Sequence, residues 1–258
     1  MPAEVKILLE GYTKSSSGTE KTQPTVSLVL DKNVVMVVDP GTMESQQVLI
    51  DRLKEEGLHP HDVNYVCITH SHIDHYKNVG MFPSAKVIEH YGIWDRNVVT
   101  DLPDDFTDNI KIYKTPGHDY TSITLLVATD DGNIAICGDV FWRENEPRED
   151  VYAQDLVKLE ESRKLVLDMA DFIIPGHGAM YRVLSGSYKT RLALKSILPV
   201  NIFSTIKEKI VKQELGVCRV CRKPFKRIED KCACRPYLCY HDCECDENCD
   251  LCNCSHKI

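Results

Sequence analysis

Residues 69–75 read Thr-His-Ser-His-Ile-Asp-His. His70, His72, Asp74 and His75 fall within six positions, directly after the apolar run Tyr65-Val66-Cys67-Ile68. A strand that ends in a loop here turns all four side chains toward one point. Three imidazoles and a carboxylate form the borderline nitrogen and oxygen donor set that suits zinc or a similar divalent ion. The bland alternative is a histidine-rich surface loop, and the rest of the chain argues against it.

Further metal-competent side chains follow at three points. Ile110-Lys111-Ile112-Tyr113 leads into Thr115-Pro116-Gly117-His118, and Asn133-Ile134-Ala135-Ile136-Cys137 leads into Gly138-Asp139. Phe172-Ile173-Ile174 leads into Pro175-Gly176-His177-Gly178. Each is a short apolar run stopped by Gly or Pro, the pattern of strands presenting ligands from a sheet edge. Singly, His118 and His177 read as ordinary polar loop residues and Asp139 as a turn residue. Together and in this order they read as one site.

The series resembles the metallo-β-lactamase superfamily over about residues 4–187, and Val38-Asp39-Pro40-Gly41 is similar to that family's Asp-x-Gly turn. Gly138-Asp139-Val140-Phe141, Glu161-Ser162-Arg163-Lys164, Ala170-Asp171, Pro175-Gly176-His177-Gly178 and Tyr181-Arg182-Val183-Leu184 are similar to its metallo-β-lactamase domain-containing protein 1 subfamily. The resemblance implies an α/β fold, an αββα sandwich. It also implies that His70, His72 and His118 bind one metal and Asp74, His75 and His177 a second, with Asp139 bridging and Asp39 orienting a ligand histidine. By the same resemblance, a hydroxide between the two metals is the nucleophile, and Asp74 and Asp139 are the catalytic carboxylates. The five-histidine, two-aspartate set suits zinc, iron or manganese, and two zincs are expected.

The expected reaction is therefore hydrolysis, with three substrate readings. The subfamily, associated with processing histone pre-mRNA, implies an endoribonuclease. A thioester, ester or lactone hydrolase of the glyoxalase II kind is the second reading. The third is a metal-dependent binding or scaffold protein that acts through the cysteine-rich C-terminal tail. The helical insert of large RNA-processing members has no room here, since twenty residues separate His118 from Asp139. A glutathione carboxylate finds no evident basic cluster, and a scaffold reading sits poorly with seven filled ligand positions. Asp119-Tyr120-Thr121-Ser122 departs from the subfamily pattern, and loops beside a site select its substrate.

The chain has 258 residues, 43% of them apolar, enough for one full core and a small appendage. No run reaches the length of a membrane span, and Met1-Pro2-Ala3-Glu4-Val5-Lys6 lacks a signal peptide's apolar core. A soluble cytoplasmic or nuclear protein, neither secreted nor membrane-bound, is expected. The formal charge is −8, which argues against a broadly basic nucleic-acid surface.

Strands are expected at Val5–Leu9, Thr25–Leu30, Val34–Val38 and Tyr65–Ile68, on the run into Thr115, and as the pair Ile123–Thr129 and Asn133–Cys137. Helical spacing appears at Val48, Leu49, Leu53 and Leu58, and at Leu156, Leu159, Arg163, Val166 and Ala170. A helix is also expected near His90–Asn97. Residues 1–187 are read as the catalytic domain, 188–215 as a helical connector and 216–258 as a separate module.

That module holds ten of the twelve cysteines. It runs Cys218-x2-Cys221-x10-Cys232-x-Cys234-x4-Cys239-x-His241-x-Cys243-x-Cys245-x3-Cys249-x2-Cys252-x-Cys254-x-His256. Short Cys-x2-Cys loops let thiolates share one tetrahedral ion, so two or three structural zincs are expected to supply its folding energy. Its formal charge is near +1, with eight Lys and Arg against seven Asp and Glu. Thiolate-bound zinc turns that negative, which favours a protein contact or self-association over nucleic acid. Cys67 and Cys137, by contrast, lie in apolar runs and read as small buried hydrophobes.

Overall fold

The computed structural model describes residues 2–103, 105–144, 147, 150–183, 215–217 and 224–226. The chain divides into two compact units, Met1–Lys189 and Thr190–Ile258.

In the first unit the strands are β1 Glu4–Leu9, β2 Tyr12–Ser16, β3 Thr19–Gln23, β4 Val26–Asp31, β5 Val34–Val38, β6 Tyr65–Cys67, β7 Lys86–Glu89, β8 Gly92–Asp95, β9 Val98–Thr100, β10 Ile110–Lys114, β11 Ile123–Thr129, β12 Gly132–Ile136, β13 Phe172–Ile174 and β14 Tyr181–Arg182. The helices are α1 Gln46–Glu55, α2 Ile73–Tyr76 and α3 Leu156–Met169. One sheet runs in the order β1-β4-β5-β6-β7-β8-β9 and a second β10-β11-β12-β13-β14. Within them β5, β6 and β7 are parallel, as are β12 and β13. These strands therefore end at the rims from which the ligand loops leave.

The layers follow from the burial pattern. Val29, Met36, Val38, Cys67 and Ile88 of the first sheet pack on Ile112, Ile123, Leu125, Ile136 and Ile174 of the second. Leu49 and Leu53 of α1 cover the outer face of the first sheet against Leu28, Val37 and Val66. Leu159 and Val166 of α3 cover the second against Ala135, Cys137 and Ile173. The central strands, among them β4, β5 and β6 of the first sheet and β11 and β12 of the second, are thus covered on both faces and read as near-continuous apolar runs, whereas β8, β9 and β10 keep exposed positions. The expected αββα sandwich is the architecture observed.

Two expectations are corrected. Residues 90–97 are not a helix: β7, β8 and β9 form an antiparallel meander in which Asp95 pairs Val98 across a two-residue Arg96-Asn97 turn. Ile93, Trp94, Val98, Val99 and Thr100 are β-branched or aromatic, and Arg96 takes a positive φ of 57°, so turn chemistry and β-propensity prevail. Leu156 is on α3 but off its buried stripe, at 61% exposure. The helix starts there, capped by Asp155 accepting from the amides of Val157 and Lys158, and its first turn overhangs the sheet.

The β2–β3 hairpin has no counterpart among the expected elements. Ser16 pairs Thr19 across Ser17-Gly18, both at positive φ, the two-residue turn that suits strand twist. Of the second unit, β15 Leu215–Val217 and β16 Pro224–Lys226 are described, paired antiparallel around positions 218–223. The expected connector helices and all twelve tail ligands, Cys218 through His256, lie outside the described residues.

Candidate metal centre

The strand ends place the ligands. Thr69-His70 follow β6, and the chain turns into α2, which carries Asp74 and His75. His118 follows β10 through Gly117, whose φ of +137° and tight approach to Leu159 leave no room for a side chain. Asp139 follows β12, and His177 follows β13.

All seven expected ligands meet at one rim, in two groups. His70, His72, His118 and Asp139 form one, and Asp74, His75 and His177 the other, each with its ligand atoms within 4.8 Å of one another. His70 Nε2 and His118 Nε2 lie 3.1 and 2.9 Å from His72 Nδ1. His75 Nε2 and His177 Nε2 are 3.3 Å apart. Four donors about 2.05 Å from a tetrahedral zinc stand about 3.3 Å from each other, so these spacings are those of nitrogens converging on a cation.

Asp139 faces both groups. Its Oδ1 is 3.3 Å from Nε2 of both His75 and His177, and its Oδ2 is 3.4 Å from His118 Nε2. Oδ1 is buried yet has no hydrogen-bond partner. An orphaned buried carboxylate oxygen is costly unless a cation completes it, so the residues fit a pair of divalent ions with Asp139 between them. Gly176 makes the space, because a Cβ there would overlap Asp139 Oδ1.

The electrostatics agree. Burial disfavours the charged form of Asp139, but His177 and His75 outweigh it and hold the carboxyl well below its usual range. Burial likewise opposes a charge on His75, but Asp39 and Asp139 hold its pKa well above the ordinary value. Burial pushes His70 well down, and His72 down, toward the neutral form that ligates metal.

Outer partners fix the imidazoles. Asp39 Oδ2 is 2.8 Å from His75 Nδ1 and accepts the Thr69 hydroxyl at 2.7 Å, while its Oδ1 accepts the Thr69 amide. Thr69 Oγ1 in turn stands 3.2 Å from His70 Nδ1. His177 Nδ1 lies 3.0 Å from the Gln23 carbonyl oxygen. The Thr22 hydroxyl donates to Asp74 Oδ2 at 3.0 Å.

The sequence reading missed several of these groups. Asp150 Oδ2 is buried 2.6 Å from His118 Nδ1, and only its negative charge in a loop could have pointed to it. Thr22 and Thr13 come from the unread hairpin, where a Ser-Gly turn between threonine-rich stretches was the available signal. Asp119, in the stretch that departs from the subfamily, has an oxygen 3.9 Å from His72 Nε2 and accepts from Thr121 and Ser71. Of the three unassigned histidines, His59 and His61 are exposed and His90 is half-buried.

A cleft of about 310 Å3 opens onto the cluster. Thr13, Glu20, Thr22, Ile73, Trp142 and Tyr152 line it together with His72, Asp74, His118, Asp139 and His177. Trp142 and Tyr152 stack with centroids 5.6 Å apart and planes 24° apart.

Comparison with known proteins follows the same lines. The metallo-beta-lactamase superfamily model matches residues 20–99. Metallo-beta-lactamase domain-containing protein 1 of Xenopus laevis is 31% identical over 195 residues, 71% of this chain and 83% of that protein. Its human counterpart is 32% identical over 159 residues, 58% of this chain and 60% of that one. The crystal structure of a Thermotoga maritima protein assigned to the metallo-beta-lactamases superposes with a TM-score of 0.59 at 23% identity, covering 70% of this chain and all of that one. No helix among the described residues is long and apolar enough to cross a membrane.

Proposed function

This chain belongs to the metallo-β-lactamase superfamily and is a metallo-hydrolase, and from that premise we propose that it cleaves phosphodiester bonds of single-stranded RNA. The observation that carries this reading is the Trp142–Tyr152 stack on the cleft wall beside the ligand cluster. Tyr152, 53% exposed, offers a ring face on which a base stacks whatever its identity.

His70, His72, Asp74, His75, His118, Asp139 and His177 would hold a pair of divalent ions, which would supply Lewis acidity and a water of lowered pKa. The chain's own residues do the rest. Asp74 lines the cleft with its side chain 17% exposed, placed to accept a hydrogen bond from the attacking water. The Thr22 hydroxyl on Asp74 Oδ2 fixes that carboxylate's rotation. Asp39 and Asp150 hold the rings of His75 and His118, and the buried floor excludes bulk water. Hydrolysis adds one water across the P–O bond, and the leaving oxygen takes its proton.

A second reading has its own observation. Among the described residues the cleft lining contains no Lys or Arg and does contain Glu20, which suits a small uncharged ester, thioester or lactone better than a polyanion. End-labelled single-stranded RNA and a panel of nitrophenyl esters and thioesters, offered to the metal-loaded chain and to Asp139→Asn, decide between them. RNA cutting that vanishes in the variant supports the nuclease. Ester turnover without RNA cutting overturns it in favour of the second reading.

For the cysteine-rich segment we infer two or three structural zincs and a protein-contact or self-association role. The support is the spacing of its ligands and the short hairpin that brackets Cys218 and Cys221 in sequence. Metal analysis of the full chain tests this: more than two zincs per chain are expected, and a ceiling of two rejects it.

A further inference from the structure

The catalytic cleft is not the only cavity on this rim. A second, of about 460 Å3, is lined by His90, Tyr91, Asp101, Leu102, Pro103 and the end of β10, including Ile112 and Lys114. None of these residues takes part in the metal centre.

Its position follows from strand register. β6 and β7 are parallel neighbours with Cys67 opposite Ile88, so the Thr69-His70 segment after β6 and the His90-Tyr91 turn after β7 leave the same edge of the sheet. Neighbouring strands are about 4.8 Å apart. The other wall is tied to the same point. Lys114 pairs Ile123, whose amide donates to the Thr69 carbonyl at 2.8 Å, and His118 is four residues beyond Lys114. The second cavity therefore lies at the strand ends from which the loops carrying His70 and His118 leave.

Its chemistry is that of a pocket for a ring bearing an anion. Lys86 and Lys111 pair with Asp95 and Asp105 at 3.1 and 3.0 Å, but Lys114 has no ion-pair partner among the described residues. Strand alternation puts Lys114 on the face of β10 that carries buried Ile112, so the cation stands at the end of an apolar floor. Tyr91 is 69% exposed at the mouth, and its ring meets that of His90 edge-on at 5.0 Å. Leu102 and Pro103 supply an opposing apolar surface, and Asp101 offers a carboxylate to a hydroxyl or amino donor.

We propose that this cavity is a nucleotide subsite: a base stacks on Tyr91, its phosphate meets Lys114, and Asp101 accepts from a ribose hydroxyl or a base amino group. The assignment to a nucleotide flanking the scissile bond rests on the RNA reading above. It places a cation, Lys114, at the end of β10, the strand that leads into His118. The polyanion is then gripped beside the reaction site, while its reacting phosphate enters a cleft whose charge comes from the metal ligands' ions.

The test uses the full-length, metal-loaded chain with Tyr91→Ala and Lys114→Gln, both at exposed positions outside the catalytic machinery. The probes are adenosine 5′-monophosphate, followed by calorimetry, a labelled ten-nucleotide single-stranded RNA, and bis(p-nitrophenyl) phosphate. Each variant should weaken nucleotide binding about tenfold, the scale of one lost stacking or phosphate contact. Each should raise KM for the RNA with kcat unchanged, and leave turnover of the nitrophenyl diester, too short to span both cavities, as in the parent. Equal nucleotide affinity in parent and variants, or none in the parent, overturns the subsite. A parent that binds the nucleotide through Tyr91 and Lys114 yet never cuts RNA supports the subsite and removes the nuclease reading instead.

Discussion

His75 and His118 are held alike and anchored differently. Each turns Nε2 into the cluster and gives Nδ1 to a buried carboxylate, Asp39 at 2.8 Å and Asp150 at 2.6 Å. Asp39 closes β5, in a positive-φ turn, and also accepts both donors of Thr69. It thereby links His75 directly, and His70 through Thr69, to the central strands of a sheet. Asp150 lies in the loop between β12 and α3, where its other oxygen accepts the backbone amide of Tyr152 at 3.0 Å. One carboxylate ties the metal centre to the core, the other ties it to the substrate wall. Stability and substrate handling are thus distributed between two residues that do the same thing to an imidazole.

Substitutions should separate these duties. Asp39→Ala should have the largest effect, because it leaves the Thr69 amide and His75 Nδ1 without their partner inside the core and the Thr69 hydroxyl with only His70 Nδ1. At about 1–3 kcal/mol for each buried unsatisfied group, several kcal/mol of stability should go, along with metal from both groups. Denaturant titration and metal analysis read this out, and a variant that keeps its midpoint would break the proposed link to the core. Asp150→Asn should lower affinity for one ion by about 10–100-fold and spare the fold. Because the loop also carries Tyr152, KM should rise with it. Loss of both ions together would show that the two anchors are not separable.

The difference between the anchors also explains what could be read from sequence. Asp39 stands in Val38-Asp39-Pro40-Gly41, at the end of an apolar run; His118, Asp139 and His177 likewise follow strands whose ends are marked by Gly or Pro, and the other four ligands crowd into residues 70–75 directly after an apolar run. Rim position is written locally, so both the sandwich and the cluster were legible. Asp150 and Thr22 reach the site from a loop and a hairpin whose placement depends on packing far along the chain, and Asp119, although next to His118, acts through contacts with Ser71 and Thr121 that its neighbours in sequence do not announce. The meander at 86–100 was misread for a related reason: its short run around Trp94 carries apolar residues at spacings that fit either period, and only the Arg96-Asn97 turn decides.

Thr22 gives a smaller test of the wall against the core. Its hydroxyl donates to Asp74 Oδ2 and stands 3.3 Å from His177 Nδ1, so Thr22→Val removes the hydrogen bond to the carboxylate while His177 keeps the Gln23 carbonyl at 3.0 Å. Turnover should fall by roughly tenfold, about 1.4 kcal/mol, with metal content and unfolding midpoint unchanged. A drop in bound metal would place the hairpin among the metal-holding elements.

The smallest effect is expected at the two core thiols, and it reports on the rigidity of the rim itself. Cys67 ends β6 and Cys137 sits two residues before Asp139, both buried and free. Burial pushes the Cys67 thiol well up and that of Cys137 up to about 12. Since only the thiolate alkylates, neither should react at pH 8 in the native chain, whereas the ten tail cysteines, proposed above as zinc ligands, should become reactive on addition of a chelator. Mapping alkylated cysteines by mass spectrometry before and after chelation tests both halves. Cys137 labelled at the same rate as the tail would mean that the strand end beneath Asp139 opens on removal of metal, and that the ions, rather than the sheet, hold the two ligand groups together.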